Sequence, residues 1–159
     1  MKLLVIEDDQ NKRHQMVSLL SEQFPEAEIE IAQALQSGLR KVIAGAFDLI
    51  LLDMTLPTYD PSPDEDGGQL KHYAGREILS QMDRRNIVMP VLVVTQFDKF
   101  GEEPDKLTLG ELDVQLRQSH AGNYRGSIFY DLSTERWKAA LVKRVGELAR
   151  ITNVKNPNS

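Results

Sequence analysis

Three short runs of uninterrupted apolar residues constrain this chain most: Leu3-Leu4-Val5-Ile6, Leu49-Ile50-Leu51-Leu52 and Val91-Leu92-Val93-Val94. A strand with one face in water alternates apolar and polar residues, so a run apolar at every position reads as a strand covered on both faces. Each run is too short to be a helix of its own and far short of the ~18 residues that would span a bilayer. Each also stops abruptly at polar residues: Glu7-Asp8-Asp9 after the first, Asp53 after the second, Thr95 after the third. The acids after Ile6 exclude a signal-peptide core in the N-terminal stretch.

Between these runs the periodicity becomes helical. Met16, Leu19, Leu20 and Phe24 share one face, with Asn11 as a cap and Pro25 as the stop. Leu35, Leu39, Val42 and Ile43 mark a second helix over Ala34–Ala44. Ile78, Leu79 and Met82 mark a third over Arg76–Met82, and Trp137, Leu141, Val145 and Leu148 a last one starting near Ser133. Glu28-Ile29-Glu30-Ile31 alternates with period two, as in a strand with one exposed face, and Ile128-Phe129-Tyr130 reads as a weaker fifth strand. Strands alternating with helices predict an α/β fold, a doubly wound five-stranded parallel sheet of flavodoxin-like type, rather than a barrel of about eight strands and ~250 residues. The 159 residues suit one domain, 1–151, with 152–159 as a flexible polar tail. Two stretches exceed that plan. The segment 58–68 (TYDPSPDEDGG) carries two prolines and the acids Asp60, Asp64, Glu65 and Asp66, and reads as a mobile acidic insertion. The segment 98–127 is long for one crossover and holds a helical pattern at Leu109, Leu112 and Leu116.

Composition narrows the chemistry. The chain has no cysteine, which excludes disulfides, thiol catalysis and thiolate metal sites. A net charge of −5 argues against binding through the phosphate backbone of nucleic acid. The phosphate-cradling patterns GxGxxG and GxxxxGK[ST] are absent, and His14, His72 and His120 are scattered without ligand spacing.

In doubly wound sheets, ligands bind beyond the carboxyl ends of the strands, where strand order reverses. Glu7, Asp8, Asp53 and Thr95 all fall there. Carboxylates crowded together repel one another unless a cation sits among them, and an all-oxygen set suits Mg²⁺. A carboxylate is also a nucleophile for phosphoryl transfer, and a threonine hydroxyl can donate to a phosphoryl oxygen.

The segments LLVIEDD (Leu3–Asp9), DLILLDMTLP (Asp48–Pro57) and MPVLVVTQ (Met89–Gln96) together resemble a response-regulator receiver domain of two-component signalling, in family order and nearly family spacing. The resemblance covers most of residues 1–150. It implies that Glu7 and Asp8 hold Mg²⁺, with Asp9 a bystander, and that Asp53 accepts the phosphoryl group and is also a metal ligand. It further implies that the backbone carbonyl of Thr55 completes the metal shell and that the Thr95 hydroxyl contacts the phosphoryl group. Gly75 resembles the family's glycine just before its third helix, displaced by the acidic insertion.

Two departures stand out. Receivers carry a lysine, usually followed by proline, at the end of the fifth strand of the sheet; Tyr130-Asp131-Leu132-Ser133 stands there instead, and Ser127 replaces the aromatic residue three positions earlier. Lys99, four residues beyond Thr95, is the candidate replacement for the missing ammonium. The resemblance implies an atypical stand-alone response regulator, cytoplasmic and not an enzyme, phosphorylated by a histidine kinase or phosphotransfer protein with Mg²⁺ as cofactor. Its output would be contact with a downstream protein partner or phosphoryl relay. No membrane contact or direct DNA binding is expected, and a homodimer stays open. The alternative is a pseudo-receiver, a docking module independent of phosphorylation. A Mg²⁺-dependent phosphohydrolase of the haloacid-dehalogenase type is disfavoured, because the acid it needs two residues after the nucleophile is Thr55 here.

Overall fold

The computed structural model describes residues 1–63 and 67–155. The apolar runs form the strands β1 (Lys2–Ile6), β3 (Leu49–Leu52) and β6 (Val91–Thr95), flanked by β2 (Glu28–Ala32) and β9 (Tyr124–Phe129). The order is β2-β1-β3-β6-β9 and every pairing is parallel. Between the strands run the helices α1 (Gln10–Gln23), α2 (Leu35–Ala44), α3 (Ala74–Arg84), α4 (Leu109–Ser119) and α5 (Arg136–Lys155).

The strand runs are apolar throughout because alternate residues serve two cores. Leu4, Ile6, Ile50, Leu52, Val91 and Val93 face one way, against Leu35 and Val42 of α2, Ile78 and Met82 of α3, and Leu112 and Leu116 of α4. Leu3, Val5, Leu49, Leu51, Leu92 and Val94 face the other, against Met16 and Leu20 of α1 and Trp137, Leu141 and Val145 of α5. Each such side chain contributes about 1.5–3 kcal/mol by leaving water. The fold is therefore the flavodoxin-like one expected, with helices on both faces.

Several boundaries differ from the sequence reading for local reasons. Helix α1 is capped by Asp9, whose Oδ1 accepts from the Lys12 amide at 2.8 Å, so it begins before Asn11. Helix α5 begins at Arg136, because Asp131 Oδ1 first accepts from the Ser133 amide at 2.9 Å and hydroxyl at 2.7 Å in a local turn. It runs to Lys155, into the stretch read as a tail; residues 156–159 lie outside the described residues. Strand β9 starts at Tyr124, with Tyr124, Gly126 and Ile128 turned inward, an alternation that Gly126, having no apolar side chain, hides in the sequence.

Both extra stretches carry small sheets of their own. β4 (Leu56–Pro57) pairs antiparallel with β5 (Leu70–Lys71) and closes the neck of the acidic insertion. Inside the neck, the Tyr59 amide donates to the Gly67 carbonyl, and Gly67 holds φ 89°, the left-handed region that suits glycine. The insertion rests on the start of α2: Gln36 N donates to the Thr58 carbonyl and the Ser37 hydroxyl to Asp60 Oδ1 at 2.8 Å. Asp64, Glu65 and Asp66 lie outside the described residues. In the longer stretch, β7 (Lys99–Phe100) and β8 (Leu107–Thr108) form a hairpin, and Thr108 caps α4 reciprocally with Glu111.

Candidate functional site

The register of the sheet assembles the site. Ile6 lies opposite Leu52, and the Asp53 amide donates to the Ile6 carbonyl at 3.0 Å, so the first residues past β1 and β3 emerge side by side. Glu7, Asp8 and Asp53 each offer a carboxylate oxygen within 4.8 Å of the others. The loop carrying Glu7 and Asp8 is held by Arg13, whose guanidinium donates to the carbonyls of both. Behind Asp53, α3 packs backbone to backbone: Gly75 N donates to the Met54 carbonyl, and a Cβ on Gly75 would stand 2.9 Å from the Asp53 carbonyl oxygen.

Burial of three acids in one place raises their affinity for protons. Glu7 is pushed up to about 7, by desolvation first and by the Asp53 charge next, with the Lys12 ammonium pulling the other way. Asp8, half-buried, is pushed up to about 6 by desolvation and by Glu7. Asp53 is also raised by burial, against the pull of Lys12. Its Oδ1 is buried and receives no hydrogen bond of normal geometry. An oxygen-only donor set with an unsatisfied buried carboxylate oxygen fits a small hard dication.

Thr95 ends β6, fully buried, and its Oγ1 accepts from the Phe97 amide at 3.1 Å, leaving its own proton to donate. Thr55 is buried and its hydroxyl points to the His72 carbonyl. Lys99 is not brought to the acids: it is exposed, its backbone engaged with Thr108 in the β7–β8 hairpin. The ammonium at the site belongs to Lys12, only 1% exposed. Its Nζ contacts Glu7 Oε1, donates to the Val94 carbonyl at 2.8 Å, and lies 3.6 Å from Asp53 Oδ2. The sequence reading missed it, although a signal exists: Lys12 falls on the inward stripe of α1 with Met16 and Leu20, where a lysine must find a buried anion.

Tyr130, at the position where the resemblance to receivers places a lysine, is buried; its hydroxyl donates to Gln15 Oε1 at 2.7 Å and its ring lies 4.5 Å from Trp137. Lys12 Nζ stands 5.8 Å from the Tyr130 ring centroid. Ser127 pairs its hydroxyl with that of Tyr124, which in turn donates to Asp113. No helix among the described residues is long and apolar enough to cross a membrane.

Comparison with known proteins agrees with this geometry. No protein-family model matches the chain. It is 38% identical over 144 residues to the uncharacterised protein y4jR of Sinorhizobium fredii, covering 89% of this chain and 94% of that one. It is 31% identical over 150 residues to the Detocs response regulatory protein DtcB of Enterobacter cloacae, covering 93% of this chain and all of that one. In fold it is similar to a CheY-like response regulator receiver domain protein of Methanospirillum hungatei, with TM-score 0.61, 20% identity and 97% of each chain covered. It is also similar to the response regulator TrrA of Thermotoga maritima in complex with Mg²⁺-BeF, with TM-score 0.58, 17% identity, and 92% and 97% of the two chains covered. By its sheet order, its strand-end carboxylates and its full-length relationship to a response regulatory protein, the chain belongs to the response-regulator receiver family.

Proposed function

We propose that this receiver takes a phosphoryl group onto Asp53 from the phosphohistidine of a histidine kinase or phosphotransfer protein, and acts by contact with a partner protein or by relaying the group. The observation that carries this reading is the buried, unsatisfied Asp53 Oδ1 beside Glu7 and Asp8 at the ends of β1 and β3. A carboxylate oxygen of Asp53 attacks phosphorus as the P–N bond to the donor imidazole breaks; the electron pair leaves with that nitrogen, and an acyl phosphate results. Glu7, Asp8 and Asp53, with the Thr55 carbonyl, would hold Mg²⁺, which neutralises charge on the donor when bound. Thr95 donates its free hydroxyl proton to a phosphoryl oxygen. The Mg²⁺-BeF bound by the TrrA neighbour supports the same cofactor here.

The test is incubation of the full chain with acetyl phosphate and Mg²⁺, read by intact mass. One phosphoryl group should be gained, and Asp53→Asn should gain none. No gain from acetyl phosphate or from a cognate kinase would refute the reading and leave a docking module independent of phosphorylation.

A further inference from the structure

Burying a lysine is costly, because its ammonium leaves water, and is offset only by close anions and hydrogen bonds. A methionine or leucine at position 12 would complete the stripe of α1 without that cost. An ammonium has three protons to place. Here one goes to the Val94 carbonyl, and one side of the ammonium faces Glu7 Oε1 in an ion pair. The third points to no described acceptor at bonding distance, since Asp53 Oδ2 at 3.6 Å is too far for a hydrogen bond. The ammonium therefore sits next to the nucleophile with one donor in reserve. At the same time the end of β9 offers no cation: Tyr130 fills that place, locked between Gln15 and Trp137.

We infer that Lys12, entering from α1, supplies the ammonium that pairs with the phosphoryl group on Asp53, in the role the fifth strand's lysine has elsewhere. This rests on the reading of Asp53 as phosphoryl acceptor. In the resting protein the single Lys12 charge offsets part of the negative charge of Glu7 and Asp53. As the Asp53 oxygen bonds to phosphorus and the donor's bond breaks, the reserve N–H takes a phosphoryl oxygen as its acceptor. No proton need leave Lys12.

The experiment compares the wild-type chain with Lys12→Met and Lys12→Arg, using acetyl phosphate and Mg²⁺ and reading intact mass over time. Mg²⁺ affinity of the unphosphorylated proteins is measured separately by calorimetry. Loss of a charge-assisted contact should slow Lys12→Met roughly 10- to 100-fold, while Lys12→Arg keeps most of the rate. Mg²⁺ should bind Lys12→Met more tightly, because the competing ammonium is gone. Adding Tyr130→Lys to Lys12→Met should recover part of the rate. Thermal unfolding confirms that each variant folds; should Lys12→Met not fold, Lys12→Gln takes its place with the same expectations. Phosphorylation of the charge-free variant at the wild-type rate overturns the inference and leaves Lys12 a structural ion pair. A slowed variant whose Mg²⁺ binding has weakened in proportion overturns it as well, since the defect is then in the metal site. If the wild type gains no mass, the Asp53 reading itself has failed, a result distinct from either.

Discussion

Gly75→Ala sets two effects of opposite sign against each other. Alanine is the better helix former by up to ~1 kcal/mol, less near a helix start, so propensity alone predicts a more stable protein. The geometry predicts the reverse. A Cβ at position 75 would lie 2.9 Å from the Asp53 carbonyl oxygen and 3.1 Å from Met54 Cα and Cε. Two of those atoms are backbone, held in place by the β3 pairings to β1 and β6, so α3 has to retreat by about 0.5 Å to restore ordinary contact. Overpacking of this kind costs about 1–3 kcal/mol, leaving a net loss of about 1–2 kcal/mol. For a domain of this size that lowers the Tm by roughly 2–8 °C. Gly146→Ala in the middle of α5 is the control, since its Cβ would meet nothing closer than 3.9 Å and should raise stability by about 0.5–1 kcal/mol. Thermal and urea unfolding of both variants decides. If Gly75→Ala is as stabilising as Gly146→Ala, the close approach of α3 to Asp53 is not what holds that end of the sheet, and the reasoning is wrong.

Thr95→Ala should slow phosphorylation of Asp53 about tenfold with Mg²⁺ affinity unchanged, as expected for one hydrogen bond to a phosphoryl oxygen; a proportional loss of metal binding would contradict that role. Glu7 and Asp8 hold protons more tightly in the folded chain, at about 7 and about 6, than their ordinary values. Their contribution to stability is thus full below the unfolded values and is lost as pH rises through the folded ones. In EDTA the Tm should fall between about pH 4 and pH 7, and the slope should flatten in the Glu7→Gln/Asp8→Asn variant. Trp137, the only tryptophan, packs on Tyr130 beside Lys12, so its emission should shift when Asp53 is loaded by acetyl phosphate with Mg²⁺. An unchanged spectrum on a mass-verified phosphoprotein would mean that the end of β9 does not sense the site.

How much of this was legible beforehand follows from how local each determinant is. The three apolar runs, their polar ends and the helical stripes are patterns of a few residues, and a run apolar at every position has few ways to be satisfied other than inside a two-faced sheet. Those patterns specified the parallel sheet and the elements on which Glu7, Asp8, Asp53 and Thr95 stand. The polar-looking β9 was legible only in part, because Gly126 puts no apolar side chain at an inward position and so hides its alternation. The hairpin at 99–108 was not legible at all, since two-residue strands carry no period. Asp9, in place of Asn11, became the cap of α1, and the neck of the acidic insertion came to rest on α2. The choice of cation belonged to tertiary packing most of all. Lys99 is close to Thr95 in sequence, yet the hairpin turns it to solvent, while Lys12 reaches a carbonyl 82 residues away because α1 packs across β1, β3 and β6. Chain distance says little about which ammonium reaches a buried carboxylate; the packing of a helix against a sheet decides it.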